Sequence, residues 1–151
     1  MNEYTYKATN LIVESFDEQD IKYKVDSPGD SEVVSAGFSV KGGTNAVVRF
    51  ISNDNDNDVS VRVYCLVTEV PQDKQLRILE ACNHVNHKVR FAKFVLDNDG
   101  DINVEYDFPL KSSDDCVGEI AFEIFVRMMQ ILDEHYSIFM KAMYSNDPLT
   151  D

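Results

Sequence analysis

From Val117 onward one stripe of residues recurs at alternating steps of four and three: Val117, Ala121, Ile124, Met128, Ile131, His135 and Ile138. Ile120, Phe125, Leu132, Tyr136, Phe139, Met140 and Met143 widen it beyond a coiled-coil seam. The spacing predicts a single helix of about 30 residues, about 45 Å long at its usual rise. A compact chain of 151 residues has a diameter of only about 38 Å. The end of the helix is therefore expected to project past the fold, leaving Phe139, Met140 and Met143 as a candidate dimer or partner helix. A second copy of the chain is the simplest cover, so a homodimer is expected. Ser112 or Ser113 is placed to cap the start of this helix, with Asp114 and Asp115 at its positive dipole end.

Upstream, the period changes. Ala8, Leu11, Ile12, Ser15 and Phe16 mark a short amphipathic helix, with Glu14, Asp17 and Glu18 opposite. Strict alternation then begins at Ile21, Tyr23 and Val25 and returns in residues 32–40, 45–52 and 59–67. KGGT makes a hairpin connection and NDNDND a longer polar loop. Pro71 opens a second helix, PQDKQLRILEACNHVNHK. Two more strands, at 89–96 and 102–110, flank the turn DNDGD. The expected fold is α+β in the order α-β-β-β-α-β-β-α: one antiparallel sheet of about five strands with helices on one face, forming one domain over residues 1–151.

Charge narrows the partners. The net charge of −13 opposes the cationic footprint that nucleic-acid binding requires and disfavours anionic membranes. No signal sequence or run of about 18 apolar residues is present, and a cytosolic protein is expected. Cys65, Cys82 and Cys116 are odd in number and lack CxxC spacing, which points to reduced thiols.

The densest cluster of candidate ligands is ACNHVNHKVRF, residues 81–91. At 100° per residue Ile78, Cys82, Val85 and Val89 share the core face of a helix, while His84 and His87 fall near Glu80 on the far side. The cysteine and the histidines therefore point apart. Asp54, Asp56 and Asp58, like Asp97, Asp99 and Asp101, have the opening offsets of a calcium loop. Both runs lack its glycine at position six and its glutamate at position twelve. No GxSxG and no phosphate-cradling glycine loop is present. No catalytic residue, cofactor or metal is expected. What survives is an open sheet face carrying Arg49, Arg62, Tyr64, Arg90 and Glu105, with Asp107 beside them, as a candidate partner-binding surface.

The stretch ILEACNHVNHKVRFAKFVLDNDGDINVEYDFPL, together with the order of elements, resembles the YbjN family, whose domain is similar to the type III secretion chaperones. Asn83, Asn86, Phe91, Phe94, Asp97, Gly100, Ile102 and Tyr106 carry the pattern of a helix end, an aromatic strand, an acidic turn and a second strand. Asn86 is expected to act as a C-terminal cap. The resemblance covers about residues 59 to 144 and implies a sensory-transduction regulator, while the chaperone-like relatives bind client segments as dimers. It supplies no catalytic residue.

The expected function is a non-enzymatic module that binds a protein segment, as a chaperone-like or signalling regulator, through an unidentified protein partner. Two alternatives are an enzyme using Glu80, His84 and His87 or an undetected cleft, and an acidic immunity-type partner of a basic protein.

Overall fold

Alternating apolar residues build an antiparallel sheet, because each strand turns its small and β-branched side chains to one face. The computed structural model describes residues 3–53, 57–111 and 115–149. Its strands are β1 (Lys24–Asp26), β2 (Glu32–Val40), β3 (Thr44–Ser52), β4 (Asp58–Val67), β5 (Lys93–Leu96), β6 (Ile102–Glu105) and β7 (Phe108–Pro109). The sheet order is β1-β2-β3-β4-β6-β5, with β7 also paired to β4. The fold is thus α+β with an antiparallel sheet. Among the described residues it has seven strands instead of about five, partly because the run from Ile102 divides into β6 and β7. Tyr106 and Asp107 lie between these two strands, and the Tyr106 N–H donates to the carbonyl of Val61 (2.9 Å).

The hairpins form where the glycines allow. In the β2–β3 turn Gly42 and Gly43 take φ of +114° and +103°, values that side-chain-bearing residues rarely reach. The Lys41 N–H there donates to Asp133 Oδ1 (2.8 Å), tying the turn to the last helix.

Among the described residues three helices flank the sheet: α1 (Lys7–Glu18), α2 (Gln75–Lys88) and α3 (Val117–Tyr144). A 3-10 turn over Gln72–Lys74 separates Pro71 from α2. Glu32, buried at the start of β2, caps α1 from outside: its carboxylate accepts the N–H groups of Thr5 (3.1 Å) and Tyr6 (2.8 Å) and the hydroxyl of Thr9 (2.9 Å). Those N–H groups lie at the helix start, where donors lack partners within the helix. Gly118 lets α3 meet α1 backbone to backbone, since a Cβ there would lie 2.4 Å from the carbonyl oxygen of Leu11.

α3 has 28 residues, yet its end does not overhang, which corrects the expectation from its length. Phe139 is fully buried and stacks on Phe94 of β5, with ring centroids 5.2 Å apart. Arg77 of α2 donates to the carbonyls of Lys141, Ala142 and Asp147 (3.4, 3.3 and 3.0 Å), and Leu149 folds back into the core. The diameter of a sphere misleads here because α3 crosses the sheet, meeting α1 near its start and α2 and β5 near its end. Met140 and Met143 are half-buried. Phe139 is therefore unavailable to a second copy. Ser112, Ser113 and Asp114, expected at the start of α3, lie outside the described residues.

Asn86 also departs from its expected role. α2 ends at Lys88 and is followed by Val89 in extended conformation, so Asn86 lies within the helix. Its side-chain amide accepts the Phe94 N–H (2.7 Å) and donates to the Phe94 carbonyl (3.0 Å). It thus pairs with edge strand β5 as a neighbouring strand would.

Candidate functional site

Register brings most of the predicted surface together. Lys24 pairs with Ser35, Ser35 with Arg49, Arg49 with Arg62, Arg62 with Glu105, and Glu105 with Lys93, so one row crosses six strands. Arg49 and Arg62 are like charges directly opposed, an arrangement that destabilises unless each finds relief. Arg62 turns to Asp107, pairing through both guanidinium nitrogens, one at 3.3 Å. That hydrogen bond holds its pKa above the ordinary arginine value. The Arg49 guanidinium sits 5.6 Å from the Tyr64 ring centroid, a cation–π distance. Glu105 lies between Arg62 and Lys93. The two opposed arginines thus each find a partner within the face, Arg62 in Asp107 and Arg49 in the Tyr64 ring.

Arg90 is not on that face. It lies in the connection between α2 and β5, beside α3, where it lines a shallow trough with Lys88, Arg127 and Glu134. Asp101 and Asn103 instead shape the far end of β4. They accept the N–H groups of Glu69 (3.0 Å) and Cys65 (2.9 Å), and Cys65 bulges there with φ of +56°.

Of the candidate ligand clusters, the one around Asp97 takes a structural role. Cys82 is buried and His87 exposed, on different sides of α2 as their spacing predicts. Among the described residues no three His, Cys, Asp or Glu side chains gather as metal ligands, so Glu80, His84 and His87 do not converge. The Asp97 carboxylate accepts the N–H groups of Asp99 and Asp101 and the Asn103 amide (2.9, 3.0 and 2.8 Å). The Asp101 N–H foremost lowers its pKa. Asp97 thus closes a hairpin turn. Asp54 and Asp56 lie outside the described residues. Burial pushes the Cys82 thiol up to about 11. Burial, then the nearby Asp101 carboxylate, also raises that of Cys65. Neither thiol is activated, since nucleophilic cysteines require a lowered pKa.

The unexpected feature is Phe91. The Ala92 N–H donates to the Arg90 carbonyl (2.8 Å), and Phe91 between them has φ of +69°. This is a γ-turn of the strained, positive-φ kind. Its ring is 63% exposed and leans on Tyr106, with centroids 5.8 Å apart and planes at 35°. Beside it a hollow of about 270 Å³ is lined by Phe108 and Pro109 of β7 and by Ile120, Ile124 and Arg127 of α3. Arg127 also borders the trough that holds Arg90. The alternation of 89–96 hides this site, because Phe91 reads there as an ordinary strand residue.

No described helix is long and apolar enough to cross a membrane. The model of the YbjN family, described as a putative bacterial sensory transduction regulator, matches residues 10–135. No curated protein matches the chain, and no solved structure does.

Proposed function

The chain belongs to the YbjN family, and on that premise we propose that it is a cytosolic, non-catalytic regulator that grips a segment of another protein in the hollow beside Phe91. One observation carries this reading: a large aromatic residue is held both exposed and in left-handed backbone geometry. Such strain costs about 1 to 3 kcal/mol and clusters where function demands it. Asparagine or glycine would relieve it without removing any buried side chain.

The hollow supports contact more than chemistry. Its volume falls below the roughly 300 to 1,000 Å³ usual for small-molecule pockets, and suits one or two side chains. The three free cysteines fit a reducing compartment. A homodimer formed through the end of α3 would use Met140, Met143 and the exposed Tyr144 instead of the buried Phe139.

The test is site-specific photocrosslinking in cells that make the protein, with the crosslinking residue at position 91 and, as control, at Leu76, which is 82% exposed on α2. A discrete protein adduct from position 91, missing from position 76, is expected. Equal adducts at both positions, or none at 91, would contradict the proposal.

A further inference from the structure

We propose that the segment bound at this hollow is acidic, with one large apolar side chain as its anchor. The inference rests on the hollow being a protein-contact site and adds the chemistry of the partner. Phe91, Tyr106 and Ile120 offer the anchor an apolar seat, as the lining of the hollow shows. The adjoining charges decide the rest. Two acids of the hollow's lining are paired within the chain, Asp107 with Arg62 and Glu123 with Arg127 at 2.8 Å, while Glu134 lines the adjoining trough. Arg90, exposed and next in sequence to Phe91, has no ion pair or hydrogen bond from its guanidinium among the described residues. Arg90 lines the trough that adjoins the hollow through Arg127, so in a chain with 27 acidic and 14 basic residues it offers a carboxylate next to the anchor a bidentate partner.

The net charge of −13 does not forbid an acidic partner. At physiological ionic strength, charges beyond about 8 Å are largely screened, so the local field is set by the trough itself, where Lys88, Arg90 and Arg127 outnumber Glu134. Carboxylates one or two residues from the anchor fall within that distance.

The test is selection of a random-peptide phage library on the full chain, with depletion on the Phe91→Asn variant, followed by fluorescence anisotropy on the enriched peptides. Peptides pairing Leu, Phe or Trp with two or more Asp or Glu are expected. Arg90→Glu should weaken them at least tenfold, and exchange of their acids for Asn or Gln should do the same. Enrichment of neutral or basic peptides that still depend on Phe91 would overturn the acidic partner while leaving the contact site standing. Failure of any peptide to depend on Phe91 would overturn both. Self-association displacing every peptide would make a second copy the occupant and overturn the inference.

Discussion

Phe139 stacks on Phe94 with ring planes 22° apart, so the end of the longest helix is sealed by an edge strand of its own sheet. Truncating a fully buried phenylalanine costs about 3 to 5 kcal/mol. Phe139→Ala is expected to lose stability on that scale in urea denaturation. Met143→Ala, at a half-buried position, should lose clearly less. The opposite ranking would mean that the helix end is packed otherwise.

Asn86 bonds both main-chain groups of Phe94. Asn86→Ala leaves a donor and an acceptor unpaired, which costs about 1 to 3 kcal/mol for each group that stays buried. It also opens the β5 edge to pairing with other chains. Faster amide exchange at Phe94 and a greater tendency to aggregate are expected. Unchanged exchange there would refute the pairing role.

Gly118→Ala should destabilise although alanine is the better helix former. The added Cβ would meet the Leu11 carbonyl at 2.4 Å, and such overpacking typically costs about 1 to 3 kcal/mol. A thermal melt decides the sign; a gain would show that α1 and α3 can part without cost.

Asp97 adds a pH dependence. Its pKa is held below the ordinary 3.8, chiefly by the Asp101 N–H. A lowered folded pKa means that the unfolded chain binds the proton more readily. The carboxylate's contribution is therefore present above 3.8 and lost as pH falls through the folded value. Asp97→Asn is expected to be less stable than the parent at pH 6, with the gap closing below about pH 4. A gap independent of pH would assign the effect to the turn's shape alone.

Much of the sheet is legible in sequence because its period of two is local. Arg49, Arg62, Tyr64 and Glu105 share a face for that reason, and Gly42 and Gly43 turn the hairpin where they stand. The rest depends on distant partners. Arg90 continues the same alternation but leaves the face, since the chain turns through Phe91 before β5 begins at Lys93. Asn86 resembles a helix cap until β5 is seen alongside it. Helix length likewise cannot reveal that Phe94 and Leu149 enclose the end of α3. Departure from strand geometry at Phe91 leaves no mark in composition, because its φ of +69° is a property of the folded connection between α2 and β5.

The most direct test of the account pairs two readouts on one variant, Phe91→Asn: unfolding free energy, and affinity for a peptide selected at the hollow. Relief of left-handed strain, about 1 to 2 kcal/mol, roughly offsets the lost contact with Tyr106, about 0.5 to 1.5 kcal/mol. Stability held within about 1 kcal/mol with affinity reduced at least tenfold is the predicted result. A variant that loses stability heavily while binding as before would contradict it, since Phe91 would then serve the fold and not a partner.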